Sequence, residues 1–600
     1  MRLRVLATAT IALTTLLSAP AVPARAAPAE PAKQPTATGY GGAVSTVDVT
    51  ATAVGLDVLR HGGNAVDAAV AAAATLGVTE PFSAGIGGGG FLVYYDARTG
   101  RVHTVDGREA APASMTATSF VDPTTGQPYP FDAARISGLS VGVPGTLRTW
   151  QDALDRWGSR PLGQLLRPAA RIAEDGFVVD ATFADQVTAN QAAFGQFRST
   201  GALYLPGGRP PAVGSTFRNP DLAETYRLIA RRGTDVFYRG EVGRDVVDTV
   251  RRPPVATPPA GSWPYPIRPA GMTAADLAGY RTRFPAPTRS DYRGLDVYGM
   301  TTPSSGGTAV GEALDILERF DLRGMSPAQA MHHYLEASAL AFADRNRYVG
   351  DGTPRGVLRE LLSDAYAKER ACLIDPAAAL PKPVAPGVPD GAYGGCPVAP
   401  AADVRDDRTG TTNLTVADRW GNVVEYTLTI EATGGNGMVV PGRGFLLNNE
   451  LTDFNFAPTQ GAAPDPNLPA PGKRPRSSIA PTIVLAGGRP LLAVGSPGGA
   501  TIITTVLQTL VNRIDLGMSL PQALAAPRAS QRNGATTQAE PAFVAEYAGG
   551  LPPGHTFSAT AEIGAATGIE FLPDGRLLAA AEPVRRGGGA AAVVGHRGRH

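Results

Sequence analysis

From Ala377 to Gly410 the chain is a long stretch rich in proline, glycine and alanine, and at Thr411 it turns abruptly into strand-like sequence. Asn413-Leu414-Thr415-Val416-Ala417 and Val423-Val424-Glu425-Tyr426-Thr427-Leu428-Thr429-Ile430 flank Asp418-Arg419-Trp420-Gly421-Asn422, a pattern that predicts a β-hairpin. With the turn centred on Trp420-Gly421, residue 412 lies opposite 429. The hydroxyls of Thr411 and Thr429 and the carboxylate of Glu431 then gather at one end of the hairpin. This register rests on symmetry, and a slip of one residue would exchange the two faces.

A threonine hydroxyl is a poor nucleophile at neutral pH and needs a base. Of the seven histidines, only His555, His596 and His600 follow Thr411, while His61, His103, His332 and His333 precede it and have no G-x-S-x-G elbow to serve. A Ser-His-Asp hydrolase is therefore disfavoured. The alternative is a threonine at a chain terminus, whose own α-amine, with an ordinary pKa of about 7.7 to 8.0, acts as the base. That chemistry requires a cut between Gly410 and Thr411, for which the long preceding loop leaves room. Threonines that begin strands are common, so the pattern alone does not single out this chemistry.

With 600 residues the chain is either several domains or one large layered domain. Its 54 basic and 53 acidic side chains give no support to nucleic-acid or membrane-surface binding. Arg2 and Arg4 precede an apolar run from Val5 to about Leu17 and the A-x-A triplet Ala24-Arg25-Ala26, which reads as a signal peptide over residues 1–26. The run is too short for a comfortable membrane span, so the mature chain is expected to be exported, secreted or periplasmic, without a membrane anchor. In an oxidising compartment Cys372 and Cys396 are expected to form a disulfide, worth up to about 3 kcal/mol through its loop. Two cysteines without neighbouring histidines make no zinc site, and no metal is expected.

Helices are expected from Val47 to Arg60, after an Asn64 cap with Asp67 in its first turn, and from a Ser326-Pro327-Ala328-Gln329 start to Tyr348. Gly85 to Gly90 formally fits G-x-G-x-x-G, but a helix precedes it and a strand follows, the reverse of a dinucleotide site, so it reads as a tight turn packed beneath a site. Pro253–Gly271, Ala377–Gly410 and Ala457–Arg476 read as long surface loops, and no internal repeat is present.

The run Thr411 to Asp418, Gly421-Asn422 and Gly444 to Phe454 resembles the start of the small subunit of gamma-glutamyltransferases. Gly62 to Ala69, Gly87 to Phe91, Asp106-Gly107-Arg108-Glu109, Pro303 to Gly307, Ala341 to Arg345, Arg474 to Ser478, Gly495 to Gly499 and Arg585 to Gly589 resemble the family as well, in order along nearly the whole mature chain. The resemblance implies an α/β (α+β) protein with the four-layer αββα N-terminal-nucleophile hydrolase fold. It implies a large subunit, residues 27–410, and a small catalytic subunit, 411–600, cut from one precursor at Gly410-Thr411 and intertwined. Thr411 would be the nucleophile, Thr429 its hydrogen-bonding partner, and the Gly498 and Gly499 N–H groups the oxyanion hole, where one donor is typically worth about 3 to 4 kcal/mol. Arg108 with Ser477 and Ser478 would clamp the α-carboxylate of a γ-glutamyl group, and Glu431, Glu450 and Asp453 would face its ammonium. Without that context, Arg108, Glu450 and Asp453 are as well read as ordinary ion pairs and Ser477-Ser478 as turn residues.

The implied activity is gamma-glutamyl transfer from glutathione and related amides to water or acceptor amines through a glutamyl-threonine ester. The partners are small γ-glutamyl peptides and acceptor amines, and no cofactor is needed. A glutaryl/cephalosporin-type acylase or a poly-gamma-glutamate-cleaving enzyme of the same fold is the alternative, and an uncut binding protein is a third. Three departures stand out. Asn413 replaces the family's usual histidine, so Asn413→His is expected to speed maturation or turnover if an acid-base role exists there. Glu431 stands where bacterial members often carry asparagine. The lid loop, Phe454 to Arg476, is short and lacks tyrosine, as in an open site that admits long chains.

Overall fold

The computed structural model describes residues 32–258, 261–396 and 410–595, so the expected signal peptide and part of the loop before Thr411 lie outside the described residues. Twelve strands form two facing antiparallel sheets. In chain order they are β1 (Thr36–Thr46), β2 (Gly89–Asp96), β3 (Arg101–Asp106), β4 (Thr288–Tyr292), β5 (Leu295–Gly299), β6 (Thr411–Asp418), β7 (Val423–Thr429), β8 (Thr482–Ala486), β9 (Arg489–Gly495), β10 (Thr567–Phe571), β11 (Leu577–Ala581) and β12 (Ala590–Gly595). One sheet runs β3-β2-β7-β6-β1-β12 and the other β11-β10-β9-β8-β5-β4. The long strand β1 belongs to both, pairing with β11 through residues 36–39 and with β6 through residues 42–46.

Alternation along β6 and β7 fixes which face meets what. Leu414, Val416, Val424, Tyr426 and Leu428 pack into one core with helices α1 (Val49–Arg60) and α2 (Ala65–Thr79). Ala417 and Val423 join a second core with α3 (Gly306–Leu317), α4 (Pro327–Tyr348) and α5 (Thr501–Ile514). The result is helix, sheet, sheet, helix, the αββα architecture. The expected helix starts are present. Asn64 and Asp67 form a reciprocal capping box, as do Ser326 and Gln329. The three expected loops carry no regular helix or long strand in their described parts. Cys372 and Cys396 are joined.

The hairpin forms, but its register differs by one residue from the symmetric reading. Thr411 pairs with Thr429 and Thr412 with Leu428. The cause is the turn. Asp418 N donates to Asn422 O at 3.1 Å, leaving the three-residue loop Arg419-Trp420-Gly421, with Gly421 at φ +87°. An odd loop with a left-handed glycine at its third position is a favoured hairpin connection, and it moves the centre to Trp420. Thr411 and Thr429 therefore face each other directly.

Candidate active site

The head of β6 lies under a clamp of backbone and hydroxyls. The Thr411 and Thr429 hydroxyl oxygens are 3.3 Å apart. Thr429 Oγ1 donates to the Gly410 carbonyl at 2.9 Å and accepts from the Glu431 N–H at 2.8 Å. With its own proton engaged, Thr429 is left to accept from Thr411. Glu431 takes a left-handed backbone, φ +73°, which glutamate adopts only at a cost of about 1 to 3 kcal/mol. That bend carries residues 431–433 back across Gly410. A Cβ on Gly410 would lie 2.1 Å from Ala432 C and 2.2 Å from Thr433 N, so only glycine fits there. The expected packing of the glycine turn is present too: a Cβ on Gly88 would lie 2.1 Å from the Thr429 carbonyl oxygen.

A narrow cleft opens beside these hydroxyls, lined by Arg108, Thr411, Thr429, Glu431, Glu450, Asp453, Ser477, Ser478, Ile479, Gly499 and Ile502. Nine of the ten catalytic and binding residues expected from the sequence thus share one cavity. Gly498 is not among the lining residues, and the space where its side chain would stand is taken by the Thr501 hydroxyl. Gly499 and Ile502 bring the start of α5 to the wall, where the positive end of the helix favours negative charge. Arg108 is buried. It makes ion pairs with both Glu450 and Asp453, and its guanidinium also reaches the carbonyls of Pro475 and Arg476 at 3.3 and 3.2 Å. Three carboxylates and one guanidinium therefore face a single small volume.

Distant segments hold this wall in place. Ser477 N donates to Pro303 O at 3.0 Å, and Ser305 N donates back to Ser477 O at 2.8 Å. Arg345 on α4 donates to the hydroxyls of Ser305 and Ser478 at 2.9 and 2.6 Å, which ties the Pro303–Gly307 and Ala341–Arg345 segments to the cleft wall. The loop after Asp453 is internally tied: Asn467 Nδ2 donates to Asp453 O at 2.6 Å, and Arg476 N donates to Asn467 Oδ1 at 2.9 Å.

Several residues inside the resembling motifs hold the site in ways the sequence does not disclose. Arg586 donates to the Thr411 carbonyl oxygen at 2.5 Å and to Ser83 Oγ at 2.8 Å, and it pairs with Glu80 at 3.3 Å. Burial pushes the Glu80 carboxyl up to about 7 despite that arginine. A cation on the Thr411 carbonyl fixes the head of the strand. Arg586→Gln is expected to slow both cutting and turnover by about tenfold or more, with little change in KM; an unchanged rate of both would remove Arg586 from the site. The Asn449 side chain bonds the Glu431 carboxylate and accepts from Ala432 N at 3.0 Å, supporting the strained bend.

Asn413 is wholly enclosed. It donates to Glu425 at 2.6 Å and to Thr567 at 2.9 Å, and it accepts from Thr427 at 2.6 Å. A histidine has only two ring nitrogens and cannot keep all three bonds, so Asn413→His carries a folding cost that the sequence does not reveal. Burial also raises the Glu425 carboxyl well above the usual range.

Glu109, next to Arg108, is fully buried, and neither carboxylate oxygen has a hydrogen-bond partner in the described structure. Burial pushes its carboxyl up to about 8, against the pull of Arg108. A folded-state pKa above the unfolded one means that the unfolded chain releases its proton first. Its contribution is most favourable below the ordinary carboxylate pKa and is lost as pH rises to about 8. Glu109→Gln is therefore expected to raise the thermal midpoint relative to the parent more at pH 8 than at pH 5. An equal shift at both pH values would place the titration elsewhere.

Facing antiparallel sheets between helical layers, with a threonine at the head of an inner strand beside the cleft, define the four-layer class of N-terminal-nucleophile hydrolases. The gamma-glutamyltranspeptidase family model matches residues 51–593. The glutathione hydrolase proenzyme of Bacillus subtilis (strain 168) is 40% identical over 528 residues, 86% of each chain. The acylase ACY 1 proenzyme of Pseudomonas sp. (strain SE83) is 35% identical over 556 residues, covering 91% of this chain and 92% of its own. The crystal structure of cephalosporin acylase from Bacillus halodurans superposes with a TM-score of 0.77 at 28% identity, covering 98% of this chain and 100% of that one. The chain belongs to the gamma-glutamyltranspeptidase family.

Proposed function

We propose that this chain is an exported precursor that cuts itself between Gly410 and Thr411. The fragments 27–410 and 411–600 then act together as a gamma-glutamyltransferase and glutathione hydrolase. The observation that carries the reading is the facing pair Thr411 and Thr429, set against the Gly410 carbonyl. In the uncut chain the Thr411 hydroxyl attacks the Gly410 carbonyl carbon, Thr429 donates to the oxygen that gathers charge, and the C–N bond breaks to give an ester and a free α-amine. Water then hydrolyses that ester. In the mature enzyme the same amine takes the hydroxyl proton as Thr411 attacks a γ-glutamyl amide. The N–H groups of Gly498 and Gly499 at the head of α5 receive the oxyanion, the leaving amine departs with a proton, and water or an acceptor amine resolves the glutamyl ester.

The lining supports a glutamyl donor. Arg108, with Ser477 and Ser478, suits an α-carboxylate, and Glu431, Glu450 and Asp453 suit an α-ammonium. Substrate binding exchanges partners: the incoming carboxylate takes up Arg108, and the ammonium takes up the carboxylates that now hold it. A glutaryl group has no ammonium and leaves three carboxylates facing one another, so the acylase reading fits this lining less well. Rates on γ-glutamyl and glutaryl anilides at one pH test this directly: preference for the γ-glutamyl compound is expected, and preference for the glutaryl compound would overturn the assignment. Among the described residues no helix is long and apolar enough to cross a membrane. Export rests on the N-terminal sequence.

A further inference from the structure

None of the cleft-lining residues takes part in a second cluster, built on α4. His332 and Glu336 lie one turn apart on that helix, and His555 reaches them from the segment before the short strand Phe557–Ala559. One donor atom from each lies within 4.8 Å of the other two, and among the described residues no other set of three histidine, cysteine or acidic side chains does so. His332 Nδ1 is 2.8 Å from His555 Nε2, and His555 Nε2 is 3.9 Å from Glu336 Oε1. The His555 and Glu336 side chains are 4% and 0% exposed, and His332 is fully buried.

We propose that His332, Glu336 and His555 bind a divalent transition-metal ion, with zinc the best match to the donor set. Two imidazoles and a carboxylate are a zinc ligand set that leaves one position for water. The cluster also has the outer support such sites use. His332 Nε2 lies 2.8 Å from the Asp375 carbonyl, which fixes the proton on Nε2 and leaves the Nδ1 lone pair directed into the cluster. Without the ion, one proton on His555 Nε2 bridges two nitrogens. With it, that proton moves to His555 Nδ1 and the ion takes its place, with no net proton released. Bonds of about 2.0 to 2.1 Å in a tetrahedron set donors roughly 3.3 Å apart, so the nitrogens separate by about half an ångström and the carboxylate draws in toward both imidazoles.

Lys382 is the competitor. Its ammonium lies 2.6 and 2.8 Å from the two Glu336 oxygens and also donates to Leu380 O at 3.1 Å, so it keeps a partner when the ion takes the carboxylate. Because His555 lies beyond Thr411 and the other two ligands before it, the ion ties the two sides of position 411 together.

Untagged full-length protein, stripped with EDTA, loaded with Zn²⁺ and desalted, is expected to retain about one zinc per chain. Co²⁺ in its place should give the intense visible bands of a low-symmetry site. His332→Ala and His555→Ala should each weaken binding at least roughly 100-fold, whereas Lys382→Met, which removes the competitor, should strengthen it. Wild-type protein that retains no zinc and leaves Co²⁺ with its aqueous spectrum overturns the proposal, whatever the variants do. Retention that survives both histidine substitutions places the ion elsewhere and overturns it equally.

Discussion

Thr411→Ala is expected to give a chain that folds, stays continuous across positions 410 and 411, and turns over γ-glutamyl anilide at least roughly four orders of magnitude more slowly than the parent. The size of the effect follows from one hydroxyl serving both of the proposed reactions. Without Oγ1 nothing attacks the Gly410 carbonyl, so no α-amine is released, and nothing remains to carry the glutamyl ester. Folding should survive because the residue enters the β6–β7 ladder through its backbone, and its hydroxyl makes a 3.3 Å hydrogen bond to Thr429 whose loss is small beside the strand pairing. Thr411→Ser keeps the hydroxyl and should still cut, more slowly, since serine lacks the methyl group that restricts the threonine rotamer. A Thr411→Ala protein that matures and turns over normally would remove Thr411 from both roles.

The second large effect falls on the other side of the same bond. Gly410→Ala is expected to abolish cutting or lower the yield of folded protein severely. The added Cβ would stand 2.1 to 2.3 Å from Ala432 C, Thr433 N and Glu431 O, all backbone atoms in a bend already strained at Glu431. To relieve the contact either the Gly410 carbonyl must move, which breaks the 2.9 Å bond from Thr429, or the bend must move, which breaks the 2.8 Å bond from the Glu431 N–H to Thr429. Time courses of cutting on a denaturing gel, alongside thermal midpoints, check this. Cutting at the parental rate would mean that residues 431–433 swing clear of Gly410 before the bond breaks.

These two expectations also show what the sequence discloses and what it hides. The hairpin, both helix caps on α2 and α4, the glycine turn and the disulfide are local or composition-driven, and they are legible from the residues themselves. The hairpin register is a near miss. Whether Asp418 and Asn422 pair to leave a three-residue loop depends on one hydrogen bond and a left-handed Gly421, and period-2 patterning cannot register an odd loop. Hairpin patterning brings Thr411, Thr429 and Glu431 to one end, but Arg108, Asp453 and Ser478 are legible only through the family resemblance, because they come from segments spread across the chain with no spacing to link them. Arg586 and Arg345 fall inside resembling motifs, but their roles are hidden for the same reason: each acts through a carbonyl or hydroxyl far away in sequence, at Thr411 and Ser478. Asn413 shows the opposite failure. It reads as a departure from the family's usual histidine two residues after Thr411, while the structure commits its amide to Glu425, Thr427 and Thr567 between the sheets.

The central claim is that a new amino terminus at Thr411 supplies the base for catalysis. N-terminal sequencing of purified, active wild-type protein tests it most directly. Two fragments are expected, the smaller beginning Thr-Thr-Asn-Leu-Thr. Full activity in material whose only amino terminus lies near the start of the mature chain, with the bond after Gly410 intact, would contradict it.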